Sequence, residues 1–306
     1  MDRLDELAVF VAILDAGSLA GAAQRLHRSA PAVTRSLGGL EERLGVRLIE
    51  RTTRNLAPTE AGRRLAGQAR RLLADYDEAL IAAGAERPLR GRLRVTAPVM
   101  FGRKHVMPLV IGFMRDYPDI RVELVLSDGN LDLIEEELDV AIRIGPLPDS
   151  GLVARRVGQV GRYLVASPAY LAARGVPAVP EDLAGHDILF STARPRPAEW
   201  RFVLDGRDRV VRLSPRLTVS HVEAALLAAR EGQGIARPLS YQAAEDLAAG
   251  TLVRLMAEAE PAPLPVQVVL PTARLMPGRV RAFVDHAVGW LKALEVLQAE
   301  RPGASL

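Results

Sequence analysis

The chain of 306 residues contains no cysteine. That excludes a thiolate nucleophile, a disulfide, a redox-sensing thiol and any zinc site built on sulfur. Histidine is nearly as scarce. His27, His105, His186, His221 and His286 stand far apart, with no pair at metal-ligand spacing. Neither a metal nor a cofactor is therefore expected. No apolar run approaches the ~20 residues needed to span a bilayer. The opening "MDRLDELAVFVAILDAG" is acidic and amphipathic, where a signal peptide is basic and then unbroken in its apolar core. A soluble, cytoplasmic protein with no membrane partner is the expectation. Phosphate-binding and nucleophile motifs are missing too: there is no P-loop, no G-x-S-x-G elbow and no complete dinucleotide fingerprint. "GQGIARP" lacks the third glycine, and Glu135, Glu136 and Glu137 point in different directions around a helix, as a solvated face does. No catalytic residues are assigned and no enzyme is expected.

What is present divides into two textures. Hydrophobic residues make up 49% of the chain, enough for two or three cores. Net charge is only +3, but between Gln24 and Arg71 eleven arginines face four glutamates. Such a local excess is the footprint of a polyanion-binding surface. This first quarter reads as helical. Leu4, Leu7, Ala8, Val11 and Leu14 mark one face of a first helix, with Asp2 as its cap. Ser18 caps a second helix and Ser29 a third. "VRLIERTTRNLAPTEAG" then turns like a two-stranded wing. A fourth helix from Thr59 carries Leu65, Ala69, Leu72, Tyr76, Ala79 and Ala83 at heptad spacing, the pattern of a seam with a partner helix. Beyond the linker "ERPLRGR", short β-rich runs alternate with helical stretches, an α/β pattern with mainly parallel strands.

The third helix, within "SAPAVTRSLGGLEERLG", poses a question. Val33, Leu37, Leu40 and Leu44 form its packed stripe. Pro31, Arg35, Gly38 and Glu42 fall opposite, flanked by Thr34 and Gly39. A glycine inside a helix costs ~1 kcal/mol relative to alanine. An outer face this bare suits close approach to a DNA major groove, with Arg35 reaching a guanine edge or a phosphate. It equally suits exposed glycines that are merely tolerated. Arg51 and Arg54 around two threonines in the wing have the composition for phosphate oxygens.

From Phe10 to Gly62 these residues resemble the winged helix-turn-helix of LysR-type transcriptional regulators. The resemblance rests on Gly17-Ser18, Ala22-Ala23, Leu26, Ser29, Ala32-Val33, Leu40-Glu41, Leu44-Gly45, Leu48, Arg51 and "TEAG" at 59–62. The remainder resembles that family's effector domain through "LRVTAP", "FMRDYPDIRVEL", "DLIEEELDVAIRIG" and "EAALLAAREGQGIA". Thr34 stands where the family often has serine, and Gly38-Gly39 replaces longer residues.

The resemblance implies an all-α winged helix-turn-helix at 1–58, a linker and dimerisation helix at 59–87, and an α/β effector domain at 88–306. The last would be of type 2 periplasmic-binding-protein form. Subdomain I would span 91–161 and 267–300 and subdomain II 162–266, with crossings near Gly161–Tyr163 and Leu264–Gln267. It also implies double-stranded promoter DNA, RNA polymerase and further copies of the chain (a homodimer, often a homotetramer) as partners. The candidate DNA-contacting residues are Ser29, Pro31, Thr34, Arg35, Ser36, Arg51 and Arg54. The candidate effector-cleft residues are Thr96, Ala97, Pro98, Asp128, Arg143, Ile144, Phe190, Phe202, Ser220 and His221.

Three of these positions follow from strand ends and helix starts as well, at Thr96–Pro98, at Arg143–Ile144 and at Ser220, where Ser220 and Glu223 spell a capping box. Free N–H groups there suit a carboxylate or similar small anion. Arg143 either adds charge to the cleft or pairs with Asp128. His221 is either a ligand donor or a helix-start surface residue. Trp200 and Phe202 either wall the cleft or fill a core. Two other readings remain open from sequence: a solute-binding protein with a helical extension, and a DNA-binding regulator whose cleft is vestigial.

Overall fold

Helices α1 (Arg3–Ala16), α2 (Leu19–Arg25) and α3 (Ala30–Leu44) open the chain, and α2 and α3 each begin after a serine. Ser18 Oγ accepts from Gly21 N at 3.0 Å and Ser29 Oγ from Ala32 N at 3.4 Å, so free N–H groups at both helix starts are satisfied. Pro31 sits in the first turn of α3, where its missing N–H costs nothing, and Gly45 ends the helix in the left-handed conformation. The computed structural model describes residues 3–51, 56–82, 89–129, 131–147, 151–192, 197–271 and 276–298. Asp2, expected to cap α1, lies outside them.

The face of α1 differs from the one expected. Val9, Phe10 and Ile13 are buried, together with Glu6, whereas Leu4, Leu7, Ala8, Val11 and Leu14 are only partly covered. Helix α1 is apolar nearly all round, so periodicity alone chose the wrong stripe. A short hairpin follows, β1 (Ile49–Arg51) with β2 (Leu56–Pro58), in register Ile49 to Pro58. It leads into α4 (Glu60–Ala82). Thr59 is the pivot of this junction. Its hydroxyl donates to Arg47 O at 2.8 Å and accepts from Gly62 N at 3.0 Å. A Cβ on Gly62 would lie 2.0 Å from Leu48 O, so only glycine lets the helix approach the wing this closely.

The chain divides into two compact units, the second starting at Arg90. The second unit holds two sheets. In the first, β3 (Gly91–Ala97) runs parallel to β4 (Ile120–Leu126) and β5 (Val140–Ile144), and β14 (Leu264–Leu270) runs antiparallel to β5 and β6 (Val153–Val160). Between β3 and β4 lie α5 (Val99–Phe101), a π-helical turn (Gly102–Val106) and α6 (Met107–Asp116). The second sheet has the order β11-β8-β12-β7-β13, from β7 (Leu164–Ala166), β8 (Ile188–Ser191), β11 (Pro215–Val219), β12 (Ile235–Ala236) and β13 (Val253–Leu255). Here β8 is parallel to β11 and β12, while β7 is antiparallel to β12 and β13. Both sheets are thus mixed, not mainly parallel. A separate hairpin, β9 (Glu199–Leu204) with β10 (Arg207–Arg212), covers one core. Helices α7 (Pro168–Arg174), α8 (Val222–Arg230), α9 (Ser240–Ala248) and α10 (Gly278–Lys292) complete the unit.

The first crossing between the sheets is at Gly161–Tyr163. Gly161 N donates to Ser240 Oγ at 3.1 Å, and Ser240 N donates to Gly161 O at 2.9 Å. The second crossing comes ahead of Leu264, not within 264–267, because β14 pairs with β6 along its whole length, beginning at Leu264 with Val160.

Candidate DNA-binding face and effector cleft

Helix α3 buries Val33, Leu37 and Leu40, while Leu44 is exposed at the helix end. Ser36 is fully buried and its hydroxyl has no hydrogen-bond partner among the described residues. It faces the core beside Leu37 and is removed from the candidate DNA contacts. Thr34 is partly exposed and spends its hydroxyl on Ala30 O at 3.0 Å, leaving the oxygen free only as an acceptor. Ser29, Pro31 and Arg35 are exposed. A Cβ on Gly38 would meet nothing within 4 Å, and one on Gly39 only Glu6 Oε1 at 3.8 Å. Packing therefore requires neither glycine. Gly39 lies beside Glu6, the buried carboxylate of α1 that pairs with Arg43.

Much of the arginine excess is neutralised inside the domain. Arg28 forks onto Asp5 with two bonds of 2.7 Å, Arg25 and Arg70 share Asp15, and Arg63 and Arg64 share Glu60. Among the described residues Arg35 and Arg47 are exposed with no carboxylate within ion-pair distance. Arg47, at the entrance to the wing, was not singled out from sequence; its place next to the strand is the signal. Arg51 begins the turn of the wing at the end of β1, and Arg54 lies outside the described residues.

In the second unit the predicted cleft residues part company. Thr96 and Ala97 are fully buried in β3, and Thr96 Oγ1 has no hydrogen-bond partner among the described residues. Pro98 precedes the helical segment, and Val99 N donates to Asp128 Oδ1 at 3.0 Å. The chain's own carboxylate thus holds an N–H expected to face an anion. Arg143 does not pair with Asp128. It donates to Gly129 O at 3.0 Å and Leu131 O at 2.8 Å, pinning the loop that carries Asp128, and burial lowers its pKa. Ile144 is half-buried in β5. Across the cleft, the capping box of Ser220 and Glu223 does not form. His221 is the N-cap of α8 and supplies no side-chain bond to the helix, Ser220 is exposed, and Glu223 turns to Arg103 at 3.0 and 3.2 Å. His221 Nδ1 stands 3.5 Å from Asp128 Oδ2.

Phe190 and Phe202 do not line the cleft. Both are buried with Trp200, Leu164 and Ile235 in the core of subdomain II. Arg237 lies over that core, 4.7 Å from the Phe202 ring, where burial brings its pKa down to about 10. Three further residues that link the segment after β3 to α9 escaped the sequence reading. Lys104 reaches Glu245 at 2.9 Å, and the rings of Phe101 and His105 pack on Tyr241 at 5.2 and 5.7 Å between centroids. Their signal was weak, a cluster of cationic residues inside "FGRKHV" after a strand. Among the described residues no three potential metal ligands converge, and no single helix is long and apolar enough to cross a membrane.

Comparison with known proteins agrees with this architecture. Residues 4–63 match the bacterial regulatory helix-turn-helix of the lysR family, and residues 86–292 match the LysR substrate binding domain. The transcriptional regulator CrgA of Neisseria meningitidis is 37% identical over 287 residues, 93% of this chain and 95% of CrgA. PtxR of Pseudomonas aeruginosa is 34% identical over 286 residues, 92% of this chain and 91% of PtxR. The solved structure of CrgA superposes with a TM-score of 0.60 at 35% identity, covering 95% of this chain and 99% of that one. Full-length AphB of Vibrio cholerae gives a TM-score of 0.60 at 31% identity, covering 94% and 99%. A helix-turn-helix that matches over its whole length disfavours a solute-binding protein with a helical extension, and the matching second domain disfavours a vestigial cleft. The chain belongs to the LysR family and is a DNA-binding transcriptional regulator with an effector-binding domain.

Proposed function

We propose that α3 enters the DNA major groove with the face formed by Ser29, Pro31, Thr34, Arg35 and Gly38, and that Arg47, Arg51 and Arg54 hold the phosphates beside it. The single observation that carries this is the bare, solvent-facing side of α3, whose glycines no packing demands and whose Arg35 no carboxylate occupies among the described residues. Short side chains let the backbone approach bases, and a free guanidinium reads a guanine edge. The heptad on α4 supports pairing with a second copy: Leu72 and Tyr76 are 49% and 46% exposed on one stripe. Dimers place two recognition helices on two half-sites, and higher assemblies and contact with RNA polymerase extend the same reading. The effector is a small anion held between the subdomains near Thr96, Asp128 and His221. A buried hydroxyl without a partner and an α8 start without a side-chain cap support this.

The test is fluorescence anisotropy on an operator selected from genomic fragments and on a random duplex of equal length. Arg35→Ala is expected to weaken operator binding by about 1–3 kcal/mol and random binding far less. Equal losses on both duplexes would remove base reading from Arg35.

A further inference from the structure

The two subdomains touch through side chains at one edge of the cleft. Arg103 of the π-helical turn bonds Glu223 of α8, and its neighbour Lys104 bonds Glu245 of α9. Phe101 at the end of α5 and His105 of the same π-helical turn close over Tyr241, which is buried. Asp128 also reaches residues of both subdomains. One carboxylate oxygen accepts from Val99 N of subdomain I, and the other faces His221 of subdomain II. Arg143 fixes the loop that presents it.

Resting on the effector site proposed above, we infer that Asp128 is a built-in stand-in for the effector. Its carboxylate bridges the starts of two helical segments, where an incoming anion would also sit, and so holds the cleft closed without ligand. An effector anion must displace it. Three features carry this. The bridge spans both subdomains, which a cap of one helix does not. The ion pairs beside it are exposed and individually weak, so they leave the equilibrium open to a ligand. The contact of buried Phe101 and Tyr241 with partly buried His105 gives the closed arrangement an apolar edge that water screens less. Asp128 is a positioning residue in this scheme, and its carboxylate sets which effectors compete: anions, which can replace it on both partners.

The test needs no effector, so it can fail while the cleft still binds one. Hydrogen exchange is followed in the full chain, wild type and Asp128→Asn, for peptides covering 98–102 and 220–225. Asparagine keeps the size and one acceptor but removes the charge. Exchange is expected to rise at least about fivefold in both peptides, in line with the lower end of typical coupling between sites. The same variant is expected to bind inorganic sulfate more tightly than wild type, because the competing charge is gone. His221→Asn, at an exposed position, removes the same bridge from the other side and serves if Asp128→Asn does not fold. It should raise exchange in the 98–102 peptide, to which His221 does not belong. A rise confined to the peptide nearer the substitution reduces Asp128 to a local cap and overturns the inference, as does unchanged exchange in both. Unchanged or weaker sulfate binding overturns the competition.

Discussion

A hydroxyl and a glycine on the same helix carry opposite lessons. Ser36 is sealed in the core of the first domain with its oxygen unpaired. Burying a hydroxyl without a hydrogen bond costs about 1–3 kcal/mol, so Ser36→Ala is expected to raise stability by about 1 kcal/mol and leave operator affinity unchanged. Thermal unfolding and anisotropy on the same two samples check both halves. Gly38 stands in open space, and its alanine variant removes the helix penalty of ~1 kcal/mol. Here the prediction is a split, a higher melting temperature with weaker operator binding, since a methyl group intrudes where the helix meets DNA. A variant that melts higher and binds equally well marks a tolerated glycine. The sequence pattern placed Gly38 on the outer face, and it stands exposed there. Ser36 entered the candidate contacts through the family resemblance, whereas its angle, about 60° from Val33 on the wheel, puts it next to the packed stripe where it is buried.

At the scale of elements, α4 tests the assembly. Its first turns pack Ala66 and Ala69 into the first domain, and further along Leu72 and Tyr76 turn outward. Leu72→Asp places an unpaired carboxylate in the proposed seam, which costs several kcal/mol if the seam forms. Light scattering is expected to show a smaller species than wild type, with operator binding lost; retention of the wild-type mass would refute the seam. Element by element, legibility followed local signals. Ser18 and Ser29 announced their helices through side-chain caps, and β4 and β5 through alternating β-branched residues such as Ile120 and Val122, and Val140, Ile142 and Ile144. The β9–β10 hairpin was overlooked although Asp205-Gly206, with φ of 50° and 72°, is the dipeptide that a tight hairpin turn demands. The capping box at Ser220 failed for a reason no local pattern contains. Glu223 had a better partner, Arg103, more than a hundred residues earlier in the chain.

For the whole molecule, the charge distribution and the motifs foretold two domains and their roles, but not which residues face each other across the cleft. Arg143 reads equally well as an effector ligand or an ion-pair partner. The structure shows no ion pair with Asp128; two loop carbonyls take two of Arg143's five donors instead. Phe190 of β8 and Phe202 of the β9–β10 hairpin, both candidate cleft residues, instead pack into one core. Function as a regulator needs one more property, a free energy that couples the cleft to the DNA. A ligand shifts DNA affinity only if it binds one arrangement better than the other. Linkage then requires operator DNA to change ligand affinity by the same factor. The decisive measurement takes a carboxylate that raises the melting temperature of the full chain and titrates it calorimetrically with and without operator DNA. The account predicts ligand affinities that differ by about 5–150-fold between the two titrations, with Thr96→Val binding the ligand more weakly in both. Identical affinities with and without operator would contradict it.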